Sequence, residues 1–336
     1  MTAEFLSTHT PALFAAAVKR TVALLRAGEV AALPTETVYG LAANAFDERA
    51  VAKIFQVKGR PANNPVIVHV SSVEMARRCT NDWPDGANKL AGAFWPGPLT
   101  LVLPRAKKIP DLVTAGGATV GVRWPAHPFI QAVIRLCGFP LAAPSANLSS
   151  RISPTNAEHV RKQLGGKVPL IVDGGQSQVG IESTVLDLSV SPPEVLRPGM
   201  IHLESLAAVL GAVRSAKCGV QSGKNLRSPG LLKKHYAPKA KLVVLKWRDD
   251  SDLRRQLSTL NPQPSTCCVV AHTHIPSEEH FARVSVIPHD AEAFARAIYA
   301  ELHRCDEAGA ELIIVEVPPA SAEWSGIADR LTRAAA

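Results

Sequence analysis

Cysteine is scarce in this sequence and follows no pairing pattern. The six cysteines, Cys79, Cys137, Cys218, Cys267, Cys268 and Cys305, contain no C-x-x-C pair. That argues against a zinc ribbon or a disulfide framework and leaves reduced, buried thiols. Aromatic residues make up only 5 % of the chain against 46 % hydrophobic residues in all. The core must therefore be built mainly from aliphatic side chains and alanine. No apolar run is long enough to span a bilayer. The start, MTAEFLSTHTPALFAAAVKR, has no basic region ahead of its apolar stretch. It reads as a soluble helix, not a signal peptide, and a cytoplasmic protein with no membrane contact is expected. The usual phosphate-binding signatures are missing too: G-x-x-x-x-G-K-[ST] does not occur, and no G-x-G-x-x-G opens the C-terminal part. A nucleotide, if bound, is held by scattered side chains. AHTHIP supplies His272 and His274 without a partner ligand motif, so they read as surface histidines at a strand end.

What is present begins with charge. The 37 Lys and Arg outnumber the 29 Asp and Glu, for a net charge of +8. This suits polyanions such as nucleotides or RNA, and it serves solubility equally well. In the first part, Thr10 is an N-cap, Pro11 the first helical residue and Gly28 a stop, while Asp47 opens a helix over ERAVAKIFQVK that Gly59 ends. EVAALPT, PVIVHV, PLTLVLP, TVGVRWP, PLAAPS, VPLIVDGG and STVLDLS read as short strands, with a helix beginning at Ser153-Pro154. Their irregular order fits a mixed α/β sheet. After residue 212 the texture turns rich in Gly, Ser, Lys and Pro, and beyond residue 239 strands and helices alternate regularly. The expected organisation is a first domain over 1–212, a linker over 213–239 and a small Rossmann-like parallel α/β domain over 240–336.

Four polar clusters fall at expected strand ends or on loops, where open α/β sheets bind ligands. They are LPTETVYGLAANA, with Thr35, Glu36, Thr37 and Tyr39; VKGRPANNPVIVH; VGVRWPAH followed by AAPSANLSSRISPT; and GIESTVLDLS with VLRPG. Each alone reads equally as a turn, a cap or a surface charge. Together they repeat one theme, hydroxyls and amides beside isolated Lys or Arg, which suits a small polar ligand plus a triphosphate.

In this order, PTETVYGL, KGRPxxNPxxxH, GVRWP, PSANLSxxxSPT, STVLDLS and LRPG resemble the YrdC/Sua-five family of L-threonylcarbamoyladenylate synthases. The resemblance covers about residues 12 to 210, and SPGLLKKHYAPKA with the small α/β domain resembles the long, two-domain form. It implies a YrdC-like twisted mixed sheet with helices. It also implies a reaction in which L-threonine, bicarbonate or CO2, and ATP give threonylcarbamoyl-AMP and pyrophosphate. The product would pass to the tRNA threonylcarbamoyl transferase machinery, for adenosine 37 of tRNAs reading ANN codons. Mg2+ would arrive with ATP, with no metal site on the protein. By the same resemblance Lys58 and Arg60 are catalytic and offset triphosphate charge. Thr37, His69, Arg123, Ala143 (through its backbone) and Ser183 bind threonine. Arg60, Asn64, Thr119, Ser145, Ser153, Arg197 and Tyr236 bind ATP, Ser153 at a helix start and Tyr236 from a linker that closes as a lid. Two other readings stay open: an RNA-binding module using the positive charge, and a related carbamoyl-adenylate chemistry as in hydrogenase-maturation proteins. The second is disfavoured by the missing C-x-x-C pairs.

Overall fold

The structure is a computed structural model and describes residues 2–216, 227–230, 235–258 and 263–336. Much of the expected linker therefore lies outside the described residues, as does Cys218. The chain forms two compact units: Met1–Ser149 with Ser153–Leu232, and Ser150–Ile152 with Lys233–Ala336.

The first unit is built on a mixed sheet. Its strands are β1 (Glu4–Ser7), β2 (Ala31–Leu33), β3 (Gly40–Asn44), β4 (Val68–His69), β5 (Leu99–Pro104), β6 (Thr119–Arg123), β7 (Leu141–Ala142), β8 (Leu170–Asp173), β9 (Thr184–Asp187), β10 (Glu194–Arg197) and β11 (Arg214–Ser215). They lie in the order β1-β8-β2-β3-β7-β4-β6-β5-β9-β10-β11. Strands β2 and β8 are apolar almost throughout and buried along most of their length, as strands covered on both faces must be. A single core of Ala, Val, Leu and Ile, with few aromatics, runs under most of the sheet.

Local signals account for the helices. Thr10 caps Pro11–Arg26 by accepting from the Leu13 amide, and Asp47 caps Glu48–Lys58 by accepting from Arg49 and Ala50. Gly59 ends that helix at φ +61°, a left-handed backbone that glycine adopts without steric cost. Two expectations fail. The N-terminal stretch does not read through as one helix: Glu4–Ser7 is an extended strand paired in parallel with Leu170–Asp173. This pairing partner is too remote for a local pattern to reveal. Nor does a helix begin at Ser153-Pro154. The helix is Ala157–Leu164, because the Asn156 side chain caps it by accepting from the His159 amide. Pro154 O is meanwhile committed to the Tyr39 amide at 2.8 Å.

The second unit is a four-stranded, all-parallel sheet. Its strands β12 (Lys241–Leu245), β13 (Cys267–Ala271), β14 (Arg283–Val286) and β15 (Leu312–Glu316) lie in the order β12-β15-β13-β14. They are accompanied by the helices Asp250–Ser258, Ala291–Glu307 and Ser325–Ala334. His272 is not the surface residue expected from its motif. Glu316 accepts the backbone N–H groups of His272, Thr273 and His274, which folds the turn inward and buries His272 against His289 and Trp324. The five described cysteines are free and buried. Among the described residues no helix is long and apolar enough to cross a membrane.

Candidate active site

Helix Glu48–Lys58 delivers Lys58 to the interior, where it is 2 % exposed. Its Nζ donates to Ser145 O at 2.5 Å, Asn147 O at 2.6 Å and Asn147 Oδ1 at 3.1 Å. Three ammonium donors thus meet three acceptors. The Ser145 hydroxyl donates to the same Asn147 Oδ1 at 2.6 Å. Burial above all, then the Arg60 cation, draws the Lys58 pKa well below its usual value, while Glu182 works the other way. Lys58 therefore pins the 145–147 turn.

Arg60 follows Gly59 and turns into its own loop. Nε donates to Asn64 O at 2.9 Å, and Nη2 donates to Asn64 Oδ1 at 2.7 Å and to Pro65 O. Asn64 is fully buried, and its Nδ2 has no hydrogen-bond partner among the described residues.

Strands β4 and β6 run in parallel, which sets His69 beside Arg123. The Arg123 guanidinium commits three of its five N–H donors. It donates to Glu36 Oε1 at 2.6 Å, to Thr37 Oγ1 at 2.9 Å and to Gly97 O at 3.2 Å. The Glu36–Arg123 pair is almost wholly inside, with side chains 10 % and 4 % exposed. Among the described residues, Glu36 Oε2 and His69 Nδ1 are buried without a hydrogen-bond partner. Ala143 joins this corner through its backbone, but its N–H is already given to Ile67 O at 3.0 Å.

Burial first, and the Arg123 cation second, hold the His69 pKa well below the ordinary imidazole value. The folded protein keeps this ring neutral at a pH where the unfolded chain protonates it. The unfolded state then binds more protons, so stability falls as pH drops below about 6.5. Each pH unit costs about 1.4 kcal/mol until the folded pKa is reached. Denaturant titrations from pH 7.5 to 5 should show this slope, and His69→Asn should flatten it. An unchanged slope in the variant would place the acid sensitivity elsewhere.

Across β5 the pattern continues on β9. Thr100 and Ser183 hydroxyls meet at 2.8 Å. Arg197 donates from Nε and Nη2 to Ser183 O at 3.1 and 2.9 Å, and from Nη1 to Pro229 O at 3.3 Å. Gly199 lets this turn close on β9, since a Cβ there would stand 2.6 Å from Thr184 N. Ser153 donates to Glu182 Oε1 at 2.5 Å. Thr119 lines a cavity of about 250 Å³ together with Ile67, Val102, Gly121, Val185 and Arg227. Arg227 is tied to Asp187 and Glu194, each at 2.8 Å. Tyr236 belongs to the second unit, where φ is +62° and its ring lies 5.3 Å from the Arg330 guanidinium.

The structure thus joins Thr37, His69 and Arg123 in one cluster, Ser183 and Arg197 in another, and Lys58 with Ser145 in a third. Thr119 lies in the cavity and Ser153 beside Glu182. Sequence reasoning quoted Glu36, Asn147 and Glu182 within their motifs but gave them no role, and it missed Thr100 and Arg227. Glu36 could have been found from its place between two threonines of PTET, whose loop already held a site residue.

A family profile described as "Telomere recombination" matches residues 23–199, and one described as "Threonylcarbamoyl-AMP synthase, C-terminal domain" matches residues 201–336. The threonylcarbamoyl-AMP synthase of Pyrococcus abyssi is 41 % identical over 87 % of this chain and 86 % of its own length. That of Bacillus subtilis is 47 % identical over 71 % of this chain and 68 % of its own. The crystal structure of the Pyrococcus abyssi Sua-five protein complexed with L-threonine is similar with a TM-score of 0.90 at 35 % identity, covering 100 % of this chain and 98 % of that one.

Proposed function

Because the chain belongs to the threonylcarbamoyl-AMP synthase family, with family profiles matching residues 23–199 and 201–336, we propose that it joins L-threonine, bicarbonate or CO2, and ATP into L-threonylcarbamoyl-AMP with release of pyrophosphate. The product serves the threonylcarbamoyl modification of tRNA adenosine.

The observation that carries this reading is a set of buried polar atoms without partners among the described residues, Glu36 Oε2, His69 Nδ1 and Asn64 Nδ2, in a site rich in Arg and hydroxyl groups. Such atoms are costly unless a ligand meets them. Arg123 spends three of its five N–H donors on Glu36, Thr37 and Gly97. Two remain for the threonine carboxylate, so the substrate can dock without displacing Glu36. Thr37, His69, Ser183 and the backbone of Ala143 complete this pocket.

ATP is assigned to the Asn64, Thr119, Ser145, Ser153 and Arg197 side, with the cavity at Thr119 and Gly121 taking the nucleoside. Threonine's amine adds to CO2, and the carbamate attacks the α-phosphate as pyrophosphate leaves. Such a transfer rests on positioning and charge neutralisation, not on a covalent nucleophile. Arg60 supplies charge to the phosphates. Lys58 acts through its field and through the turn it holds, because its donors are already engaged. Mg2+ would come with ATP and offset phosphate charge, and the Glu182 carboxylate, which accepts from Ser153, would offer it a hard oxygen donor. Much of the linker expected to close as a lid lies outside the described residues.

Pyrophosphate release by the full chain should require threonine and bicarbonate together, with threonylcarbamoyl-AMP recovered by chromatography. Release that ignores threonine would remove the synthase reading.

A further inference from the structure

The buried Glu36–Arg123 pair uses only half of the Glu36 carboxylate. Oε1 accepts from Arg123 at 2.6 Å, whereas Oε2 is buried with no partner among the described residues. The loop carrying Glu36 is fixed from several sides. Val179 N donates to Glu36 O at 2.7 Å. Thr35 Oγ1 donates to Val38 O at 2.6 Å. Ser177 Oγ donates to Thr35 O at 3.0 Å. A free carboxylate oxygen is thus held at a set place beside the donors left on Arg123.

The charged and titratable groups around it are Arg123 on β6, His69 on the adjoining β4, and His127 ahead of helix Pro128–Cys137, which senses the Glu36 charge. His69 is kept neutral, so a free amino acid entering here meets one cation and one anion. That arrangement is complementary to a zwitterion: the carboxylate faces the guanidinium and the ammonium faces Oε2.

An ammonium cannot attack CO2, since its nitrogen has no lone pair. Building on the synthase reading, we propose that Glu36 Oε2 receives the ammonium of threonine and takes the proton that must leave before carbamate forms. One N–H bond breaks and its proton moves to Oε2. The nitrogen lone pair then forms the N–C bond to CO2, and one C–O π pair becomes the carbamate oxygen. The second proton of the adduct leaves to water. Glu36 is then a proton acceptor in contact with substrate, distinct from the charge-neutralising roles of Lys58 and Arg60.

The test follows pyrophosphate release against threonine concentration from pH 6.5 to 9.5, with ATP and bicarbonate saturating. The readout is the ratio of variant to wild-type kcat/KM, in which the changing share of CO2 cancels. Glu36→Gln should lower the ratio about 10²-fold at pH 7, the usual worth of a positioned base. The ratio should then climb about tenfold per pH unit toward the pKa of the amine, because only free amine reacts in the variant. A ratio that stays constant with pH means a structural role and overturns the proposal.

Glu36→Asp keeps the charge beside Arg123 but withdraws the oxygen. If Glu36→Gln does not fold, Glu36→Asp should show a reduced kcat with an unchanged ATP affinity by calorimetry. An undiminished kcat would overturn the proposal. Wild-type release without threonine would remove the synthase reading and this inference together, whereas threonine-dependent wild-type turnover with a flat ratio removes the inference alone.

Discussion

Arg123→Met should abolish threonine binding and cost the fold about 3–5 kcal/mol, the usual penalty for removing one partner of a buried ion pair. The magnitude follows from burial. Both side chains are nearly inaccessible, so the stranded Glu36 carboxylate gains almost no hydration, and Thr37 Oγ1 and Gly97 O lose their donor. A surface pair of the same length would be worth no more than about 1 kcal/mol. Two measurements check this. Urea denaturation gives the stability loss, and calorimetry should show no threonine heat while ATP still binds. The double variant Arg123→Met with Glu36→Gln should recover much of the lost stability, because the uncompensated charge is gone, yet remain inactive. A single variant within about 1 kcal/mol of wild type would show that the pair is solvated in solution.

Lys58→Met should have the second largest effect, and it should fall on ATP. Methionine fills the channel of the lysine stem but withdraws the donor from Ser145 O, Asn147 O and Asn147 Oδ1, the last of which keeps the Ser145 hydroxyl. Each unsatisfied buried acceptor costs about 1–3 kcal/mol, offset in part because an ammonium no longer has to be desolvated. A net loss of about 2–4 kcal/mol is expected. The freed 145–147 turn then misplaces Ser145, so KM for ATP rises at least tenfold while threonine affinity changes little. Lys58→Arg should rescue neither, since a planar fork cannot reach three acceptors that converge on one nitrogen. Equal losses in ATP and threonine affinity would argue that Lys58 is a general structural residue.

Much of the fold was legible locally. The caps at Thr10 and Asp47 and the stop at Gly59 stand where the residues put them, because capping depends on a few neighbouring groups. The alternation beyond residue 239 also became a parallel sheet. What local pattern could not reach was partnership. EFLS carries no strand signal of its own, and only β8 makes it one. Ser153-Pro154 looks like a helix start, but Asn156 competes for the cap and prevails. The site shows the same division. The motif residues Thr37, His69 and Arg123 do gather at one corner of the sheet, and Ser183 meets Arg197 in a second cluster, but the sequence names residue types and not what their hydrogen bonds are spent on. Lys58 reads as a free cation until the fold brings Asn147 to it, and Arg123 reads as a free fork until Glu36, 87 residues away, takes one of its prongs.

The pairing of β1 with β8 also sets a timetable. The ribosome makes Glu4–Ser7 more than 160 residues ahead of its parallel partner Leu170–Asp173. At about 5–20 residues per second, the first strand waits roughly ten to thirty seconds for its neighbour. During that interval EFLS is an unclaimed edge that other chains or a holding chaperone can occupy. Trimming the first seven residues would remove this hazard but leave β8 with an open flank in the finished protein.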